Sequence, residues 1–178
     1  AFGRDRHMLS TKMEKALNEQ LNFELYSSYI YLSMAACLER SGLPGFSNWM
    51  RIQTQEEVSH ADKFYHHILE RGGKVTLGQI GAPKVDWPSV LAAFEEALEH
   101  ERLVTSRINN LMSLALDEKD HASAMFLQWF VSEQVEEEAT ADEIIQKLKL
   151  ASESKAALFM MDKDMSTRVF NAPTEGGA

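Results

Sequence analysis

The chain has 178 residues, of which 44% are hydrophobic and 25% charged, and its formal net charge is −9. That length suffices for one domain with a sizeable core, and the acidic balance argues against a nucleic-acid partner, which calls for a basic patch. No run of about 18 apolar residues occurs, so no membrane span is expected. The one cysteine, Cys37, cannot form a disulfide within the chain, which fits a reducing, cytoplasmic setting.

Residues 1–7 are polar and are expected to be a vector remnant ahead of an initiator at Met8. From Met8 to about Glu39 the pattern predicts one long helix, ended by the breaker Ser41-Gly42-Leu43-Pro44-Gly45. A second helix runs to Glu70, where Gly72-Gly73 stops it as a C-terminal cap would. Residues 72–88 contain four Gly and two Pro and show little periodicity. A third helix starts near Pro88-Ser89 and reaches about Leu116. Residues 117–120 form a turn, and a fourth helix extends to about Leu150. A short, Met-rich fifth segment covers roughly 154–165, and residues 168–178 are expected to be a flexible tail.

Loop lengths restrict the topology. Short connections make helices one and two, and helices three and four, antiparallel hairpins. The 72–88 connection can span roughly 55 Å when extended, whereas a helix of about 27 residues is only about 40 Å long. Helix three can therefore start at the same end as helix two. The expected fold is all-α, a four-helix bundle with one long crossover and a short fifth C-terminal helix, with residues 8–167 as its domain.

The core-facing stripe of each helix follows from its i, i+3, i+4, i+7 spacing. Helix one gives Leu17, Leu21, Glu24, Ser28, Tyr31 and Ala35. Helix two gives Phe46, Met50, Gln53, Glu57, His60, Phe64 and Ile68. Helix three gives Phe94, Ala97, Glu101, Val104, Ile108, Leu111 and Ala115, and helix four gives Phe126, Phe130, Glu133, Glu137, Thr140, Ile144 and Leu148. Each stripe is apolar at its ends and acidic near its middle. Glu24, Glu57, Glu101 and Glu137 would meet at one depth, with His60 beside them. Four buried carboxylates are untenable without a cation, and two divalent ions would balance their charge. Oxygen ligands with one imidazole suit iron or manganese, and zinc also binds such a set.

The segments LNEQLNFELYSSYIYLSM (17–34), QEEVSHADKF (55–64), EEALEHERLVTSRIN (95–109) and FLQWFVSEQVEEE (126–138) resemble the ferritins, and within them the non-haem bacterial ferritins. The resemblance covers Met8 to about Thr167. It implies a ferroxidase subunit that oxidises Fe(II) with dioxygen or peroxide and stores Fe(III) as a mineral in a hollow homo-oligomeric shell of about 24 copies. It implies a first iron position held by Glu24, Glu57 and His60, and a second held by Glu101 and Glu137, with Glu57 bridging. Glu56, Glu133 and Glu136 match a third iron position that shares Glu137. Gln134 matches a residue near the pair, and Tyr31 resembles a tyrosine beside the irons. Its plain alternative is a core aromatic whose hydroxyl finds a Glu. Val58 stands where haem-binding relatives carry Met, so no haem is expected. Thr140 stands three residues after Glu137, where di-iron oxidases of this architecture carry a second His. The resemblance places Ser154–Met165 at four-fold contacts, against the alternative of a helix packed on its own subunit. Asp117, Glu118 and Asp120 match either an ion access route or a solvated turn.

Overall fold

A computed structural model describes residues 9–151 and 154–171. The expected vector remnant at 1–7 and most of the expected tail lie outside them. Five helices follow in order: α1 (Thr11–Arg40), α2 (Pro44–Glu70), α3 (Val90–Asp117), α4 (His121–Ala151) and α5 (Lys155–Met165). The all-α bundle expected from the stripes is the one observed.

Local chemistry sets the helix ends. Ser10, Ser89 and Ser154 each accept from the backbone N–H three residues on, which satisfies a donor that has no partner inside the helix. Gly42 (φ 76°) and Gly72 (φ 73°) turn the chain out of α1 and α2 in the left-handed region. Behind them, Leu43 N–H donates to the Leu38 carbonyl (3.0 Å) and Gly73 N–H to that of Ile68 (2.9 Å).

α1 packs on α2, and α3 on α4. The crossover from 71 to 89 runs along α1 from its start to its end, tied to it by side chains. Asn18 donates to the Lys74 carbonyl (2.9 Å) and accepts from Thr76 N–H (2.6 Å). Asn22 accepts from Gly78 N–H (3.0 Å), Ser33 donates to the Lys84 carbonyl (2.6 Å), and Arg40 pairs with Asp86. These polar ties give the irregular backbone the partners that a sheet or helix would otherwise supply. They also deliver α3 to the end of the bundle where α2 begins.

Apolar burial falls into two separate blocks. One gathers Met34, Leu38, Phe46, Met50, Phe94, Ile144 and neighbours at the end where α2 starts. The other gathers Met13, Leu17, Phe64, Ile68, Ile108, Leu127 and neighbours at the far end. Between them lies a layer of polar side chains.

The fifth segment packs on its own subunit. Leu158, Met161 and Met165 sit against the first apolar block, while Phe159 and Met160 remain exposed. α2 has no side-chain cap of its own at Leu43. Asp162 of α5 supplies one, accepting from Phe46 N–H at 2.9 Å. Asn48 in turn donates to the carbonyls of Met165 (3.3 Å) and Arg168 (3.0 Å). Arg168, assigned from the sequence to the tail, is thus held on α2.

Candidate metal centre

The stripes of α1, α2 and α3 are buried as the spacing predicts. The stripe of α4 needs correction. Thr140 is exposed, Glu133 and Phe126 are half-buried, and the buried line runs Leu127, Phe130, Gln134, Glu137, Ala141, Ile144 and Leu148. α4 turns this seam toward α3, so that the Gln134 amide reaches Glu101.

The layer between the apolar blocks contains Glu24, Glu57, His60, Glu101 and Glu137, all buried. Ligand atoms of Glu24, Glu57 and His60 lie within 4.8 Å of one another, as do those of His60, Glu133 and Glu137. His60 Nδ1 is 3.6 Å from Glu57 Oε2. Its ring is wedged edge-on against Trp129 and Phe130.

Three of the four carboxylates, Glu24, Glu101 and Glu137, have polar partners that orient them. Gln20 donates to Glu24 Oε1 at 2.8 Å, and Gln53 to Glu137 Oε2 at 2.8 Å. Tyr31 donates to Glu101 Oε1, and Gln134 to Glu101 Oε2 at 3.1 Å. A further row of groups holds the orienting residues. Arg107 donates to Gln20 Oε1 at 2.9 Å, and Thr105 donates to Glu138 at 2.6 Å while receiving the Gln134 amide at 3.3 Å. Two buried oxygens, Glu24 Oε2 and Glu57 Oε2, have no hydrogen-bond donor among the described residues. Oxygens of this kind beside an imidazole are what a hard or borderline cation takes as ligands.

The electrostatics agree. Burial, then the charge of Glu57, pushes the Glu24 carboxyl up to about 8. Burial, then the charge of Glu101, pushes Glu137 up to about 8. Glu57 is raised well above the usual carboxylate range by burial and by Glu101 and Glu137, and Glu101 is raised by burial against the hydrogen bonds from Tyr31 and Gln134. Burial, with Glu101 next, holds the Tyr31 phenol well above its ordinary value, so it stays protonated as a donor. Like charges at close quarters in a dry layer keep protons until a cation replaces them.

The remaining predicted residues are less closely gathered. Glu133 faces His60, with its carboxyl raised by burial. Glu136 is exposed, and Glu56 is engaged by Arg168 Nη2 at 2.5 Å. At the α3–α4 turn, Asp120 pairs with Arg71 (2.8 Å) and accepts from Ser123 N–H (3.1 Å), and Glu118 accepts from Ser10 (2.5 Å). Both acids tie the bundle end together. The helical spacing places Gln53 on the core-facing stripe without a role and leaves Gln20 off the stripe of helix one. Each stands one turn before a site Glu, which is the signal that could have found them.

A family model described as a ferritin-like domain matches residues 14–151. A bacterial non-haem ferritin of Bacteroides fragilis is 42% identical over 161 residues, covering 90% of this chain and all of that protein. One from Staphylococcus aureus is 38% identical over 164 residues, covering 92% of this chain and 99% of that protein. Among solved structures, an open-pore ferritin from the hyperthermophilic archaeon Archaeoglobus fulgidus superposes with a TM-score of 0.90 at 53% identity, over 90% of this chain and 99% of that one.

Proposed function

The chain belongs to the ferritin family, and on that premise we propose that it stores iron by oxidising Fe(II) at the pair of positions between its two apolar blocks. The observation that carries this reading is the layer of four buried glutamates and one histidine, with two donor-less oxygens, one on α1 and one on α2. Glu24, Glu57 and His60 hold the first Fe(II), Glu101 and Glu137 hold the second, and Glu57 bridges them. A third iron position uses Glu133 and Glu137 with Glu56 and Glu136.

Two Fe(II) held side by side can each pass one electron to dioxygen. The protein supplies position and charge for that step. Gln20, Gln53, Tyr31 and Gln134 fix the carboxylates so that little reorganisation is needed when iron binds. The site lacks a second His, so its two positions are unequal, and the one made only of carboxylates releases Fe(III) more readily. The product accumulates as mineral inside a shell of 24 subunits without haem, in the cytoplasm. No helix among the described residues is long and apolar enough to cross a membrane.

Stopped-flow absorbance after mixing Fe(II)-loaded protein with dioxygen tests the site. Glu57→Ala and His60→Ala should each slow the initial phase by on the order of a hundredfold, because each removes a ligand from a shared pair. Initial oxidation at the wild-type rate in both variants would refute the assignment. Light scattering that finds no species larger than a dimer would refute the shell.

A further inference from the structure

The C-terminal segment after α5 carries a cation to the edge of the carboxylate layer. Asn48 holds the backbone of residues 165–168 on α2 through carbonyls. The Arg168 guanidinium then stacks 4.3 Å from the Trp49 ring centroid and donates to the Trp49 carbonyl at 3.2 Å. Its Nη2 donates to Gln53 Oε1 at 2.9 Å and to Glu56 Oε2 at 2.5 Å. The Arg168 and Glu56 side chains are only 23% and 22% exposed, so this pair is weakly screened compared with a surface one.

Glu56 is therefore coupled electrostatically to two sets of groups. One is Arg168. The other is Glu133 and Glu137, both of which feel the Glu56 charge. A metal ion shared by Glu56, Glu133 and Glu137 would need the same carboxylate that the guanidinium now engages. It would also lie close to a fixed positive charge.

We propose that Arg168 is a resident competitor for the third cation position: by pairing with Glu56 it keeps that position weak, while the dinuclear pair behind Glu57 stays strong. Arg168 acts here as a positioning residue, through Glu56 and Gln53. A permanent cation suits this task because guanidinium stays charged at any working pH and is held in a fixed fork. Like charges roughly 6 Å apart in partly screened surroundings repel enough to change a binding constant on the order of tenfold or more. The pair then fills first, and an ion at the third position exchanges rather than stays. The proposal rests on the third-position reading given above.

Calorimetric titration of the assembled protein with Fe(II) without oxygen, and separately with redox-inert Zn(II), tests it. In Arg168→Met, which keeps an apolar stem on Trp49, the two tight ions per subunit should bind as in the wild type and a third should bind at least tenfold more tightly. Arg168→Lys keeps the charge and should leave the third ion weak. Glu56→Gln should weaken the third ion and cancel the gain from Arg168→Met. A third ion that binds no more tightly in Arg168→Met overturns the proposal. If neither protein takes a third ion and Glu56→Gln changes nothing, the third position itself is refuted and the proposal with it, while two tight ions lost in Glu57→Ala keep the dinuclear reading intact.

Discussion

Gln53 on α2 donates from Nε2 to Oε2 of Glu137 on α4, 2.8 Å away, and joins the two helices at the middle of the bundle. The Gln53 carbonyl oxygen receives Arg168, so the amide can face Glu137 in only one sense. Binding geometry at the site is thus set by side chains that need never touch a metal.

Tyr31 donates to Glu101 and is fully buried. Tyr31→Phe keeps the ring and removes the donor, at a cost of about 1 kcal/mol in the folded protein. Glu101 is then held by Gln134 alone and keeps its proton to higher pH. Oxidation of Fe(II) should slow several-fold, and the pH at which metal binding is half-maximal should move upward. An unchanged rate and pH midpoint in stopped-flow traces would reduce Tyr31 to a core aromatic.

The metal-free layer makes stability depend on pH. Glu24 and Glu137 titrate at about 8 when folded, against an ordinary 4.5. Between these values the folded protein holds protons that the unfolded chain releases. Their contribution is fully present below pH 4.5 and is lost as pH rises through 8. His67 works in the opposite sense. Burial, then Arg71, lowers it to about 4 from 6.5, so its contribution is lost as pH falls from 6.5 to 4. Comparing metal-free wild type with Glu24→Gln at each pH cancels the His67 share. Denaturant melts should show the wild type losing stability relative to the variant between pH 4.5 and 8, and a flat difference would contradict the assignment. Metal binding below pH 8 should release protons, detectable by titration in buffers of different ionisation enthalpy.

A Cβ on Gly45 would lie 1.6 Å from the Asp162 carbonyl oxygen, a backbone atom that cannot step aside. Gly45→Ala should therefore drive α5 off α2 and remove the Asp162 cap from Phe46, which alone costs about 1 kcal/mol. Gly42→Ala is the comparison: its Cβ meets nothing within 4 Å, and only the left-handed backbone is strained, by about 1 kcal/mol. Limited proteolysis should cut near α5 much faster in Gly45→Ala than in Gly42→Ala. Equal rates would mean that α5 docks without that close approach.

Much of the site was legible because it repeats with the helix. Glu24, Glu57 and Glu101 are each the one acidic residue of a largely apolar stripe, and so they stand out. On α4 the contrast fails. Glu133, Gln134, Glu136, Glu137 and Glu138 are nearly consecutive, so several faces look alike, and the expected line through Thr140 is displaced from the buried one through Gln134 and Ala141. The spacing puts Gln53 on the core-facing stripe but gives it no role, and Gln20 lies off the stripe of helix one, because glutamine is also an ordinary residue of exposed helix faces. Arg168 left no local trace. Its partners Trp49, Gln53 and Glu56 are more than a hundred positions away, and neither spacing nor composition reports a contact of that range.

The carboxylate layer divides the interior into two apolar blocks that do not join. Close-packed interiors transmit a change of volume to whatever they touch. Here a methylene lost among Leu17, Phe64 and Ile108 reaches Phe46, Phe94 and Ile144 only through the polar layer or along the helix backbones that cross it. The bundle is in effect two short rods welded at a polar joint. Each rod can drift in sequence to suit its own surroundings, the α5 end on one side and the α3–α4 turn on the other, without consulting its neighbour. What neither rod can change freely is the joint, since its polar side chains hydrogen-bond one another across the helices that run through both halves.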